Sequence, residues 1–259
     1  MRRILVALAL VLATAVSHVA RAADGALEIN QACVATGCFP GDTAGFPVEI
    51  TSPGSYKLTS NLVVPDANTI AVSIVPDSVS LDLGGFAIQG PTLCTGEPVT
   101  SCTPMGSGVG VSAGNRSRIY NGTIQGMGGG GIGSGTDARM WDLTVVHNGS
   151  AGIFLSRGGS VRNSTVNFNG ERGIRGISGG GFGEVAGCTV RGNKDDGIAL
   201  SSGLVVDSRI QNNGAEAIQG GGDVGYHGNI LMGNVAVPPV SFAYAIGCNL
   251  VDGAVVCPP

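Results

Sequence analysis

Residues 139–153 read RMWDLTVVHNGSAGI and residues 160–174 read SVRNSTVNFNGERGI, so apolar, polar and turn-forming residues recur 21 positions apart. The central apolar residue recurs at spacings of 21, 21, 24, 20 and 20, as Ile124, Val145, Val166, Val190, Ile210 and Ile230. A second apolar column lies five positions earlier, and a third lies eight positions later. Three short apolar strands in about 21 residues are typical of one coil of a triangular solenoid.

An asparagine follows the central column by three positions in four successive coils, as Asn148, Asn169, Asn193 and Asn213. Asn tolerates the left-handed backbone of a tight corner, and stacked amides can hydrogen-bond from coil to coil. The pattern therefore predicts a structural ladder at this corner. Glycine accounts for 45 of the 259 residues and charged residues for only 12%, which favours short strands joined by many tight turns.

The three strands per coil, the aliphatic columns and the Asn ladder together resemble the right-handed parallel β-helix of the pectate-lyase-like superfamily. The chain is most similar to its small exported members that carry parallel β-helix repeats. We therefore predict an all-β fold, a single-stranded right-handed parallel β-helix with a cap at each end. The resemblance implies contact with polysaccharide, but such helices host lyases, hydrolases, epimerases and non-catalytic adhesins alike.

The first 22 residues have the pattern of a secretory signal peptide. Arg2 and Arg3 precede an apolar run of 13 residues, and the small-residue site Ala20-Arg21-Ala22 follows it. The run is shorter than the roughly 20 residues that span a bilayer. We expect a mature chain that is secreted to the periplasm or the extracellular space, without a membrane span. Its 11 basic and 18 acidic residues give a net charge of −7, which argues against nucleic acid as a partner.

Residues 23–259 are predicted to form one β-helix domain. Residues 23–47 are expected to be an N-terminal cap with a short helix within residues 26–34. Residues 90–108 interrupt the periodicity, so we expect an inserted loop, closed by a disulfide, that projects from the solenoid. Residues 238–259 are predicted to form a C-terminal capping hairpin.

The cysteine spacing favours three local disulfides, Cys33–Cys38, Cys94–Cys102 and Cys248–Cys257. The third can also be argued from geometry. Asp252-Gly253 is a strong two-residue hairpin turn, which brings the last two cysteines opposite each other at a non-hydrogen-bonded site. Cys188 remains, and its place in the apolar register predicts a buried thiol.

The outward positions of the first strands form two columns, which we expect to share one compact face because adjacent coils are about 4.8 Å apart. One column is Arg118, Arg139, Ser160 and Glu184, and the other is Tyr120, Trp141, Arg162 and Ala186. Guanidinium forks suit carboxylates, and aromatic rings suit the faces of sugar rings. We therefore predict that Arg118, Tyr120, Trp141 and Glu184 bind an anionic polysaccharide. The alternative is that Arg and aromatic residues are scattered over exposed positions.

The resemblance to polysaccharide lyases implies that an arginine on this strand, Arg139 or Arg162, is the base that removes the C5 proton of a uronate. It also implies Ca²⁺ or another cation on the carboxylate, with Asp142, Glu184 and Asp207 as the oxygen ligands nearby. These three residues belong to different coils and form no dense acidic cluster, so the sequence predicts no certain cofactor and Ca²⁺ only for a lyase.

A second candidate site is the acidic pair Asp195 and Asp196, with Glu171-Arg172 one coil earlier and Glu216 one coil later. The pair is similar to the carboxylates of polygalacturonase-type hydrolases, which need a general acid and a base. The Asn-Thr-Asp and Gly-His-Gly motifs of those enzymes are missing, and a charge ladder across the turn also explains the residues. We predict a protein that contacts polysaccharide, with a uronate lyase as its catalytic form. The alternative is a non-catalytic structural or adhesin-like solenoid whose oligomeric state stays open.

Overall fold

The computed structural model describes residues 25–176 and 182–258, and the predicted signal peptide lies outside these residues. The chain winds into a right-handed parallel β-solenoid of about nine turns with about 21 residues per coil, as predicted. In chain order the strands are β1 Leu27–Ile29, β2 Val48–Ile50, β3 Ser55–Leu58, β4 Leu62–Val63, β5 Val72–Ile74, β6 Ser80–Asp82, β7 Ala87–Gln89, β8 Leu93–Gly96, β9 Val99–Thr103, β10 Val111–Ser112, β11 Arg118–Gln125, β12 Ile132–Gly133, β13 Arg139–Val146, β14 Ile153–Leu155, β15 Ser160–Arg162, β16 Thr165–Asn167, β17 Ile174–Gly176, β18 Phe182–Ala186, β19 Thr189–Arg191, β20 Ile198–Val206, β21 Arg209–Gln211, β22 Ile218–His227, β23 Ile230–Met232, β24 Val240–Ser241, β25 Tyr244–Ala245, β26 Asn249–Val251 and β27 Ala254–Val256.

Three parallel sheets form the walls of the solenoid. The first sheet runs from β1 through β3, β6, β15 and β18 to β25, and the second runs from β4 through β7, β16, β19, β21 and β23 to β26. The third runs from β2 through β5, β10, β12, β14 and β17 to β24. The longer strands β11, β13, β20 and β22 each pass through a corner and contribute to two sheets.

The predicted aliphatic columns lie in register inside the solenoid. Val145 pairs with Ile124 on one side and Val166 on the other, and all three side chains are fully buried. Stacked aliphatic residues on three inner walls remove a continuous apolar core from water, at roughly 1.5–3 kcal/mol for each buried side chain. One member of the central column was predicted wrongly: Ile210 pairs with Leu231, which is fully buried, and Ile230 is only partly buried.

The Asn ladder is present and extends one coil further, to Asn234. The Nδ2 atom of each amide donates to Oδ1 of the next Asn, at 3.0, 3.0, 2.9 and 2.9 Å from Asn148 to Asn234. Its backbone explanation was wrong, because the left-handed residue is the one before each Asn: His147, Phe168 and Asn212 have φ values of 56°, 54° and 51°. The Asn residues themselves stabilise the corner through buried hydrogen bonds.

A second polar ladder, which the sequence analysis missed, lies inside the corner between the first and second sheets. Its side-chain oxygens accept hydrogen bonds from the backbone N–H groups of the preceding coil. Ser164 accepts from Leu143, Ser208 accepts from Cys188, and Asn229 accepts from Ser208. These inward polar groups are all buried, and each bond satisfies a backbone donor that the bend removes from the sheet.

The two ends of the solenoid correspond only partly to the predicted caps. Within the predicted N-terminal cap, β1 is already a solenoid strand that pairs with β3, and the expected helix is reduced to the 3₁₀ turn Cys33–Ala35. At the other end, Asn249 pairs with Val256 and Val251 with Ala254, which confirms the predicted hairpin register. The Cys33–Cys38, Cys94–Cys102 and Cys248–Cys257 disulfides are present, and Cys188 is a buried free thiol.

The loop of residues 90–108, which was predicted to project from the solenoid, instead lies along its surface. β8 and β9 form an antiparallel hairpin closed by the Cys94–Cys102 disulfide, and both sulfur atoms lie within 4.0 Å of the carbonyl oxygen of Asn148. The hairpin tip is fixed further along by Glu97, whose Oε1 accepts from Arg191 Nε at 2.7 Å and from Asn212 Nδ2 at 2.9 Å. These two hydrogen bonds lower the pKa of the Glu97 carboxyl, with Asn212 contributing most.

Candidate functional site

The predicted outward columns form a continuous surface on the first sheet, which we call the arginine–aromatic face: Arg118, Tyr120, Arg139, Trp141, Ser160, Arg162 and Glu184. The pairing is as predicted, with Arg118 opposite Arg139 and Tyr120 opposite Trp141. These side chains point outward because they alternate with the buried residues of the same strands.

Two aromatic side chains form a flat platform on this face. The rings of Tyr120 and Trp141 are stacked with their centroids 4.5 Å apart and their planes 5° apart. Their in-register positions on adjacent coils produce this geometry, because the strand spacing is close to a ring-stacking distance. Both side chains are only half-buried, so part of the platform is open to solvent.

The arginines of this face differ in their partners. Arg162 donates to both carboxylate oxygens of Glu184 at 2.8 Å, which neutralises its charge. Arg118 and Arg139 are exposed, and within the described residues neither side chain has a hydrogen bond or an ion pair. Like charges on adjacent strands repel each other, so an anionic ligand would relieve the repulsion between Arg118 and Arg139. The face therefore offers two uncompensated guanidinium groups beside an aromatic platform.

Two adjoining clefts run along this surface and meet at Arg139 and Gly158. The first, of about 550 Å³, is lined by Trp141, Arg162 and Glu184, and also by Phe182. The second, of about 480 Å³, contains Arg118, Arg116 and Asp137. Three of these lining residues, Phe182, Arg116 and Asp137, were not predicted from the sequence, although Phe182 occupies an outward position two residues before Glu184.

The acidic pair Asp195 and Asp196 is divided between two environments. The Asp196 side chain is buried and its Oδ2 accepts from Arg172 Nε at 2.7 Å, whereas Asp195 is half-exposed and 3.4 Å from the same guanidinium group. On the other side, the Asp196 Oδ1 accepts from the backbone N–H of Glu216 at 3.2 Å. The three residues Arg172, Asp196 and Glu216 thus form a charge ladder across successive coils, the arrangement given above as the alternative to a hydrolase.

The pKa values in this ladder are shifted in opposite directions. Burial raises the pKa of Asp196, and the neighbouring Glu216 carboxyl raises it further, while Arg172 opposes both. The hydrogen bond with Asp196 lowers the pKa of Glu216. The shifts are opposite because the buried Asp196 carboxyl and the more exposed Glu216 carboxyl share a hydrogen bond. A cleft of about 220 Å³ lined by Arg172, Arg175 and Gln219 adjoins the ladder.

The described residues do not fit a Ca²⁺ site on the arginine–aromatic face. Asp142 and Asp207 are left-handed corner residues, with φ values of 54° and 50°, and Glu184 is paired with Arg162. Among residues 25–176 and 182–258, no cluster of three His, Cys, Asp or Glu side chains could hold a metal ion.

The three sheets and their inner ladders define the class: the chain is a parallel β-helix repeat protein. Residues 95–215 match the family described as a right handed beta helix region. No curated protein and no solved structure matches the chain significantly. The fold is that of carbohydrate-active proteins and surface solenoids in general. The three disulfides of the chain are typical of an oxidising compartment. Among the described residues, no helix has the length and hydropathy of a membrane-spanning segment.

Proposed function

We propose that the protein is exported and binds an anionic, uronate-containing polysaccharide through the arginine–aromatic face. The single observation that supports this proposal is the pair of uncompensated guanidinium groups, Arg118 and Arg139, beside the stacked rings of Tyr120 and Trp141. Carboxylates of a uronate chain supply the counter-charge, and the rings contact the apolar faces of the sugars. The two adjoining clefts provide space for a linear chain along several coils.

A binding assay on immobilised polyuronate tests this proposal. The double variant Arg139→Ala/Trp141→Ala removes one guanidinium and half of the aromatic platform, so we expect affinity to fall by roughly 10- to 100-fold. The matched control is Arg209→Ala, an exposed arginine on β21 in the second sheet. Unchanged retention of the double variant, or an equal loss with Arg209→Ala, would reject this face as the binding site.

A uronate lyase is a second candidate function, favoured by the position of Arg139 at the junction of the two clefts. A general base must reach the proton that it removes and must not be held in an ion pair. Arg162 is held by Glu184, so Arg139 is the better candidate. Ultraviolet absorbance of the unsaturated product, measured on pectate and alginate, distinguishes lyase from non-catalytic binding. Binding without any rise in absorbance supports the non-catalytic solenoid.

A further inference from the structure

The two ends of the solenoid differ in how they meet solvent. At the N-terminal end, the segment between β1 and β2 folds over the core, burying Val34 and Phe39, and the Phe39 ring contacts Tyr56. Residues 25–60 contain no exposed large hydrophobic side chain. The first coil is therefore covered by its own chain, as expected for a solenoid end that must not pair with other strands.

The C-terminal end is apolar and open. Eight of the thirteen exposed large hydrophobic residues in the described part of the chain lie between residues 232 and 256: Met232, Val235, Val237, Phe242, Tyr244, Ile246, Val255 and Val256. Asp252 is the only charged residue from 232 to 258. So large a fraction of the exposed hydrophobic residues, within one coil and its hairpin, is unusual for a surface that contacts only water.

The backbone at this end is also open. Among the strands that the structure describes, β24 and β25 pair only with β22 in the preceding coil, and β27 pairs only with β26. All three residues of β27 are exposed, and the strand has no charge that would discourage pairing. Proteins normally protect such an edge with lysine, a bulge or a covering segment. Within the described residues, β27 has no lysine, bulge or covering segment; it is a short strand of three residues, and Pro258 follows it after Cys257.

We propose that the C-terminal end binds a second copy of the same chain, tail to tail, by antiparallel pairing of β27 with the β27 of the other copy. An edge strand that meets its own copy across a two-fold axis is antiparallel to it by symmetry. The charge distribution favours this occupant. The chain as a whole is acidic, but the end contributes only Asp252 in the hairpin turn, so two copies meet where they repel each other least.

A two-fold contact of this kind is closed. Each copy contributes the C-terminal edge that the described residues leave open, so pairing across the two-fold axis stops at two copies and does not continue into a filament. The apolar side chains of the two ends then cover each other. This inference depends on the geometry of the end and is independent of the proposed polysaccharide site.

Analytical ultracentrifugation of the full mature chain, at concentrations up to about 100 μM, tests the proposal. We expect a dimer that dissociates on dilution. Val255→Lys places a charge in the centre of β27 at a side chain that is 72% exposed, and we expect this variant to be monomeric. The matched control is Val75→Lys, at a position that is 61% exposed in the N-terminal half, which should leave the dimer unchanged.

Circular dichroism and a thermal melt show whether each variant is folded. A wild-type chain that stays monomeric over the whole range would overturn the proposal, whatever the variants do. A dimer that survives in folded Val255→Lys, or that is lost in Val75→Lys, would place the contact elsewhere. Assemblies larger than two would contradict the closed two-fold contact.

Discussion

Replacing Asn169 by alanine should reveal how much the Asn ladder contributes to stability. The Asn169 amide makes four hydrogen bonds inside the solenoid. Its Nδ2 donates to Val145 O at 3.3 Å and to Asn193 Oδ1 at 3.0 Å, and its Oδ1 accepts from the N and Nδ2 of Asn148 at 3.1 and 3.0 Å. Asn148, Asn169 and Asn193 are fully buried, so water cannot replace the lost partners.

The expected cost follows from the groups that lose a partner. The backbone N–H of Asn148 loses its acceptor, and the Asn148 Nδ2 keeps only a hydrogen bond to Ile124 O at 3.5 Å. The Asn193 and Val145 oxygens each lose a donor. A buried group left unsatisfied costs about 1–3 kcal/mol, so we expect Asn169→Ala to lower the free energy of unfolding by about 3–5 kcal/mol. The control is Asn115→Ala. Asn115 Oδ1 also accepts from a backbone N–H in the next coil, that of Thr136 at 2.9 Å, but it is exposed. Water can replace the Asn115 side chain as the acceptor, so we expect Asn115→Ala to lower the free energy of unfolding by only about 1 kcal/mol.

Denaturant unfolding with the disulfides intact measures both variants against the wild type. The slope of the free energy against denaturant should be unchanged, which shows that the same surface is exposed on unfolding. If Asn169→Ala and Asn115→Ala cost the same within error, the buried ladder does not contribute more than a surface hydrogen bond, and the reasoning is refuted.

Two further predictions concern a glycine and the free thiol. A Cβ at Gly173 would lie 2.5 Å from Val190 Cγ1 and 2.8 Å from Asn193 Nδ2, so Gly173→Ala should lower the melting temperature. The control is Gly133→Ala, whose Cβ would meet nothing within 4 Å and which should leave the melting temperature unchanged. Equal melting temperatures for the two variants would contradict this steric account. Burial raises the pKa of the Cys188 thiol from 9.0 to about 11, so the folded state favours the neutral thiol. The stabilisation that the neutral thiol gives the folded state is complete below about pH 9 and is lost as the pH rises towards 11. The wild type should therefore lose about 3 kcal/mol more stability than Cys188→Ala over this interval, as measured by unfolding at several pH values, and an equal loss in both proteins would show that the thiol is not responsible.

The coil architecture could be predicted because each aliphatic position repeats with the same role. Val145, Val166 and Val190 lie in register as the spacing requires. The error at Ile230 has a physical cause: an irregularity in pairing between Leu200 and Ser202 adds one residue to the next coil, and both Ile230 and Leu231 are apolar. Only the pairing decides which of the two enters the core.

The candidate face could be predicted as far as the alternation of strand residues determines it. Tyr120 and Trp141 were expected side by side, and they stack. The ion pair between Arg162 and Glu184 joins the two different outward columns on neighbouring coils. It could not be predicted from the spacing, because the spacing relates only residues of the same column. The contacts of Glu97 with Arg191 and Asn212, 94 and 115 positions away, have no periodic pattern at all.

The docked hairpin has a consequence for how the molecule unfolds. A coil in a solenoid touches only its neighbours, so coils can be lost one after another from an end. The β8–β9 hairpin contacts Asn148, and further along it contacts Gly192 and Asn212, so it fastens several successive coils to one covalently closed element. These coils should therefore melt together as one cooperative block, and progressive fraying should be confined to the coils that the hairpin does not reach.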